Sequence, residues 1–307
     1  MSRYASTTLA SFMRTAESGS FAAAGRGLGI SAAAVGQNVR RLEAEYGVKL
    51  FNRTTRKMSL TLEGSLLFQR ARTPLRELEE IDFLFQESRG LVAGPLRISA
   101  PKRFAVKTLV PMLCEFRAAH PLIEIDLDAS DNVRDFVDDP VDVAFRIGAP
   151  TDSTMIAREL SPLPVYTMAA PAYLAAHGRP THPQELDAHQ CLQYRFTNGI
   201  LWEWAFSIDG EIQRVATSGA FSFNDPEALL EAGLRGFGLF QIDGYYGGDA
   251  VSSGELELVM HNFAPQLQSL YLCYASRENM PLRVRAFIDF VATRFGRDCF
   301  ILPPPVS

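Results

Sequence analysis

The chain has 307 residues, 47% of them hydrophobic and 21% charged, with a formal net charge of −5 and a mean hydropathy near zero. That length exceeds one average domain and points to two or three folding units, and the composition excludes a disordered or fibrous chain. No apolar run approaches the roughly 18 residues that a membrane span needs, and the N-terminus lacks the pattern of an export signal, so a cytoplasmic protein with no membrane partner is expected.

The charge is unevenly spread. Residues 1–60 carry Arg3, Arg14, Arg26, Arg40, Arg41, Lys49, Arg53, Arg56 and Lys57 against Glu17, Glu43 and Glu45, so a basic head precedes an acidic body. Such a division suits a head that meets phosphate and a body that stays off it. Cys114, Cys191, Cys273 and Cys299 lie far apart without CxxC spacing, which fits reduced structural thiols better than a disulfide frame or a zinc site.

Residues 4–17 place Leu9, Phe12, Met13 and Ala16 on one helix face, and Gly19 ends the segment. Ser20 caps a second helix whose Ala22, Ala23 and Ala24 permit close packing, and Leu28, Gly29 and Ile30 form a turn. Ser31 is the N-cap of a third helix. There Val35, Val39, Leu42 and Tyr46 recur as a core face, and at about 100° per residue Ala33, Gln37, Arg40, Arg41 and Ala44 occupy the opposite side. A glutamine can pair bidentately with adenine and an alanine methyl can touch a thymine methyl, while Arg40 and Arg41 are placed for phosphates. For an isolated helix a solvated face would be the better reading; the turn and a basic hairpin in register with it favour a groove-facing row. That hairpin joins residues 48–51 to 58–60 through Asn52, Arg53, Thr54, Thr55, Arg56 and Lys57, a wing offering phosphate contacts or an arginine for a narrow minor groove.

The stretches SFAAAGRGLGIS, AAAVGQNVRRLEAEYGVKLFNRTTR and LTLEG resemble the winged helix-turn-helix of the LysR-type transcriptional regulators. The resemblance implies a sequence-specific DNA-binding regulator rather than an enzyme, with double-stranded DNA and a small-molecule effector as partners and RNA polymerase as a further one. With the helical wheel it gives a DNA-facing set of Ser20, Ser31, Ala33, Gln37, Arg40, Arg41, Arg53, Thr54, Arg56 and Lys57. Where the family carries a Gln-Pro pair and then Ser-Arg, this chain has Ala32-Ala33 and then Gly36-Gln37, so the resemblance implies DNA binding without carrying over a base preference.

Thr61 can cap a long helix reaching about residue 89, with Leu62, Leu66, Leu67, Ala71, Leu75, Leu78, Ile81 and Phe85 along one broad stripe. A lone exposed helix of that length is marginal, so an antiparallel partner from a second chain is expected; the resemblance makes it the dimerisation linker of a homodimer or homotetramer. Pro74 either bends this helix or is tolerated locally.

GLVAGP over residues 90–95 reads as a hinge, after which strands alternate with helices and imply a parallel sheet covered by helices. Strands are expected at 96–100, 123–128, 141–147, 165–169, 191–196, 204–209, 220–223, 239–242 and 270–275, with helices at 106–120, 171–176, 226–235 and 281–295. GPLRISAP, PLIEIDLDASD, DVAFRIGAPTDSTMIAREL, AAPAYLAAHGRP and FNDPEALLEAGLRGFGL resemble, in order, the effector domain of the same family. The resemblance implies two α/β lobes similar to a periplasmic binding protein. The expected divisions are 1–60 for the winged helix-turn-helix, 61–89 for the linker helix, 90–94 for the hinge and 95–307 for the effector domain. Its lobe I covers about 95–164 and 269–307, and lobe II about 165–268.

Ligands of such folds sit between lobes, at strand carboxyl ends and helix amino ends. The first strand delivers Ser99, Lys102, Arg103 and Phe104; a crossing strand ends at Arg146 and Gly148; the second lobe offers Phe196, Asn198 and Trp202, with Asn224 and Asp225 before a helix. Three cations near helix amino ends favour a small anion, an aromatic or aliphatic carboxylate. The alternative is a redox-sensing regulator that uses Cys191, the cysteine clearly in the second lobe. Gly233, Gly236 and Gly238 follow a helix and precede a strand, the reverse of a nucleotide loop, and His177, His182 and His189 lack zinc spacing. No cofactor or metal is expected.

Overall fold

The computed structural model describes residues 3–53, 58–87, 90–131, 141–149, 155–275, 280–296 and 299–303. The chain falls into two compact units, an N-terminal one up to Pro95 and a C-terminal one that takes nearly all of the rest.

In the N-terminal unit α1 (Arg3–Ser18) closes at Gly19, which has a φ of 64°, and α2 (Phe21–Leu28) and α3 (Ala32–Tyr46) follow. Both expected caps form: Ser20 Oγ accepts from the Ala23 N–H at 3.5 Å and Ser31 Oγ from the Ala34 N–H at 3.1 Å, each meeting a donor the helix itself leaves unpaired. The turn between these helices is tight enough that a Cβ on Gly25 would stand 2.6 Å from the Ile30 carbonyl oxygen. β1 (Phe51–Arg53) and β2 (Met58–Leu60) pair antiparallel, Phe51 opposite Leu60 and Arg53 opposite Met58. Thr61 starts α4 (Leu62–Glu87) by accepting the Gly64 N–H at 2.9 Å.

Phe12, Met13, Val39, Leu42, Leu50, Phe51 and Ala71 form the core of this unit, with Leu67, Phe68 and Leu75 of α4 packed against it. The first half of α4 is therefore a wall of the head. Its apolar stripe is wider than that wall: Leu62 (74%), Leu66 (53%) and Leu78 (46%) remain exposed. Tyr46, expected in the core, is 61% exposed; it sits in the last turn before Gly47, beyond the level of Val39 and Leu42.

The second part begins with β3 (Ala93–Ala100), which takes in the last two residues of the expected 90–94 break. Gly94 allows this with a φ of 101°, at a place where a Cβ would come within 3.0 Å of the Phe83 ring. A single helical run follows, α5 (Lys102–Phe104), a π turn over Ala105–Leu109 and α6 (Val110–Ala119). Then come β4 (Leu122–Ala129), β5 (Val143–Ile147), β6 (Met155–Ala169), α7 (Pro171–His177), β7 (Gln193–Tyr194), β8 (Trp204–Ile208), β9 (Glu211–Val215) and β10 (Ser222–Phe223). The chain ends its regular structure with α8 (Pro226–Leu234), β11 (Phe240–Asp243), α9 (Gly244–Ser253), β12 (Glu257–Val259), β13 (Gln266–Ala275) and α10 (Leu282–Arg294).

The main sheet has the order β11-β6-β13-β5-β3-β4, with β12 also on β6. It is mixed, which corrects the parallel expectation. β3 and β5 run parallel, but β13 returns from late in the chain and inserts antiparallel between β5 and β6. Residues 155–164 of β6 pair with β13 and residues 165–169 with β11 and β12, so one strand serves two lobes. In the first lobe Phe104, Phe145, Phe116 and Phe287 meet ring to ring, at 4.7 Å for the first pair and 5.1 Å for the last. In the second, Met168, Leu229, Phe240 and Leu258 are among the buried residues of one cluster, and Tyr173, Cys191, Trp204 and Phe206 of another.

Candidate DNA-facing helix and effector cleft

On α3 the structure exposes Ala33, Gln37, Arg40 and Arg41, while Val35, Gly36, Val39, Leu42 and Glu43 are buried. The opposite face is anchored from two sides. Asn38 donates to Ser11 Oγ at 2.9 Å, and Glu43 Oε1 accepts the Leu50 N–H at 2.9 Å, with Lys49 Nζ 3.6 Å from its other oxygen. A buried carboxylate thus ties the helix to the start of the wing. Ser20 and Ser31 are caps, and Arg53 ends β1. Thr54, Arg56 and Lys57 lie outside the described residues.

In the body, Ser99 at the end of β3 is 6% exposed, and its Oγ accepts from Arg146 Nη1 at 3.1 Å; the same nitrogen donates to the Phe145 carbonyl. Burial lowers the Arg146 pKa, with the Cys273 thiol and Asp128 opposing that shift. Gly148 turns the chain after β5, with a φ of 86° and its N–H on the Ser269 carbonyl at 2.9 Å. Lys102 is exposed, and its backbone N–H donates to Asp131 Oδ1 at 2.9 Å.

Arg103 behaves differently from the expected ligand cation. Its Nη1 donates to both carboxylate oxygens of Glu227 at 2.8 Å, its Nη2 donates to the Tyr246 carbonyl at 2.8 Å, and the guanidinium lies 4.9 Å from the Tyr246 ring centre. Asp243 caps α9 beside it by accepting the Tyr246 N–H at 3.0 Å; burial pushes that carboxyl up to about 6. Glu227, Asp243, Tyr245 and Tyr246 were not singled out from the sequence, where an acidic residue in a first helical turn is ordinary. Phe104 belongs to the core: it is 1% exposed and packs against Phe145, Tyr245 and Phe295.

In the second lobe Phe196 meets Tyr194 and Trp202 edge-on, at 5.4 and 5.8 Å. Trp202 Nε1 donates to Gln241 Oε1 at 3.3 Å. Asn198 is used locally, its Oδ1 accepting the Ile200 N–H at 3.0 Å. Asn224 is exposed, and Asp225 caps α8 by accepting the Ala228 N–H at 2.9 Å. The structure therefore unites Ser99 with Arg146 and Phe196 with Trp202, and it assigns Arg103, Phe104, Asn198 and Asp225 to internal contacts. Cys191 is 1% exposed, and burial, then Asp187, push its thiol up to about 12. A sensor thiol needs the opposite environment.

Two family models cover this architecture. Residues 7–65 match the bacterial regulatory helix-turn-helix protein model of the lysR family, and residues 89–296 match the LysR substrate binding domain. The chain is a LysR-type transcriptional regulator. As such it has a DNA-binding head and a two-lobed effector-binding domain, and its family is not one of enzymes. An HTH-type transcriptional regulator of Escherichia coli (strain K12), YhjC, is 34% identical over 92% of this regulator and 94% of its own length. CrgA of Neisseria meningitidis, a LysR-type transcriptional regulator of solved structure, is 30% identical with a TM-score of 0.60, covering 95% of this chain and 99% of that one. AphB, the Vibrio cholerae virulence activator, is 28% identical with a TM-score of 0.60, covering 94% of this chain and 98% of its own. No helix among the described residues of this regulator is long and apolar enough to cross a membrane.

Proposed function

We propose that this regulator reads a double-stranded operator with the exposed row of α3, and that a small carboxylate held between the lobes controls the reading. The observation that carries the first part is the row itself: Ala33, Gln37, Arg40 and Arg41 face outward from a helix whose other face is buried and tied at Asn38 and Glu43. Gln37 reads a base, Ala33 touches a thymine methyl, and Arg40, Arg41 and the wing residues Arg53, Thr54, Arg56 and Lys57 hold phosphates. The exposed leucines of α4 pair with a second copy, in a homodimer or homotetramer whose heads meet successive half-sites. It acts in the cytoplasm with RNA polymerase as a further partner, and the divisions 1–60, 61–89, 90–94 and 95–307 are its working parts.

Support for the carboxylate comes from Ser99 and Arg146 at adjoining strand ends, with Lys102 exposed nearby in sequence and Phe196 and Trp202 as an aromatic wall. Control by Cys191 is disfavoured by its buried, protonated thiol. The test is a shift assay on the DNA upstream of the protein's own gene and its divergent neighbour. Gln37→Ala is expected to lower affinity for the specific fragment about tenfold, the scale of one lost bidentate base contact, and to leave binding to random DNA unchanged. Arg41→Ala is expected to weaken both alike and to reduce the salt slope by about one. Equal loss on both DNAs for Gln37→Ala would refute base reading by that residue.

A further inference from the structure

We propose that Glu227 is the cleft's own anion, occupying Arg103 until the carboxylate of an effector takes its place. This rests on the carboxylate reading above and adds the group that such a ligand must displace. The two partners are unequal. The Arg103 side chain is only 9% exposed, whereas that of Glu227 is 53% exposed. Arg103 is fixed by the Tyr246 carbonyl at 2.8 Å and by the rings of Tyr246 and Tyr245 at 4.9 and 5.8 Å. The described contacts of the Glu227 carboxylate are those to Arg103 Nη1, so it can swing into water at little cost, as an exposed half of an ion pair does.

Arg103 also has a donor to spare. Its Nε is buried and meets no acceptor among the described residues, although buried donors of this kind are nearly always paired. A carboxylate arriving from the cleft would find that donor, the Nη1 donors released by Glu227, and the first turn of α8, whose amino end favours negative charge. Other acids of these segments have partners elsewhere: Asp243 caps α9, Asp131 accepts the Lys102 N–H, and Asp249 lies 3.7 Å from Lys107. Glu227 is the acid aligned with the guanidinium.

The exchange has a mechanical side. Arg103 begins the first lobe's helical run, while Glu227 and Tyr246 belong to α8 and α9 of the second. Replacing Glu227 by a free carboxylate removes one bond between lobes and supplies the differential affinity through which an effector can shift a conformational equilibrium.

The experiment is calorimetric titration of the full chain with benzoate, and with benzamide as the neutral control. Glu227→Gln removes the competing charge and keeps the shape; it is expected to tighten benzoate about fivefold without affecting benzamide, the upper end of what an exposed ion pair contributes. Arg103→Lys is expected to abolish that gain. Hydrogen exchange over α8 and α9 of ligand-free Glu227→Gln should match that of the benzoate-saturated wild type. If Glu227→Gln leaves benzoate affinity unchanged while Arg146→Gln weakens it, Glu227 is a structural tie and this inference fails, although the cleft still takes carboxylates. If neither the wild type nor Glu227→Gln binds benzoate, the carboxylate reading falls and takes the inference with it. Thermal unfolding of each variant verifies that it is folded.

Discussion

In α3 every residue of the exposed row lies within one helix, whereas the Arg103 fork closes on Glu227 from 124 positions further along the chain. The head's chemistry is therefore written locally: caps, period and turn residues decide which side chains face out. The cleft's chemistry depends on sheet order, because β13 must insert between β5 and β6 before the two lobes acquire their arrangement. A local design can change its reading by substitution without disturbing its fold. A long-range one binds recognition and stability together, so that the same substitution tests both.

The largest way to break this contrast is Arg103→Ala. It removes a nearly buried guanidinium and strands the Tyr246 carbonyl, and should cost about 3 kcal/mol of effector-domain stability in denaturant unfolding. A loss below about 1 kcal/mol would make the fork a surface ornament.

Next in size is the pH dependence set by Asp243. Burial raises its carboxyl from 3.8 to about 6, so the folded protein holds that proton more tightly than the unfolded chain. The resulting stabilisation is whole below about pH 4 and is lost as pH rises through about 6. Asp243→Asn keeps a competent helix cap and should flatten the difference in melting temperature between pH 5 and pH 7.5, a contribution on the order of 2 kcal/mol. An unchanged difference would place the titration elsewhere.

The smallest effect is expected from Ser31→Ala. Losing the 3.1 Å cap of α3 should cost about 1 kcal/mol of head stability, seen as earlier melting of the isolated N-terminal transition, without changing which operator is preferred. A change of preference would mean that Ser31 itself touches DNA.

These contrasts also explain how far the sequence could be followed. The caps at Ser20, Ser31 and Thr61 and the buried face of Val35, Val39 and Leu42 are short-range and were legible. The Asp209-Gly210 pair is a short-range hairpin signal too: both residues have positive φ and join β8 to β9. α9 was hidden by its composition, GYYGGDAVSS, since glycine opposes helix. Packing requires one of those glycines and favours another: a Cβ on Gly244 would lie 2.2 Å from the Phe300 carbonyl oxygen, and one on Gly247 would push on Met168 Sδ at 2.4 Å. Nor did the first half of β6 announce itself, because Ile156, Ala157, Arg158 and Glu159 are all exposed and give no alternation. At the cleft, residue types were readable but allegiance was not. Arg103, Arg146 and Lys102 look alike in sequence, and only three-dimensional pairing separates them: Arg103 closes on Glu227, Arg146 donates to Ser99, and Lys102 is exposed.

The first half of α4 gives the head no slack. Because Leu67, Phe68, Ala71 and Leu75 are packed with Phe12, Met13, Val39 and Leu42, this half of the helix works as a crankshaft: a turn about its axis must be shared by α1 and α3, since close-packed interiors transmit strain rather than absorb it.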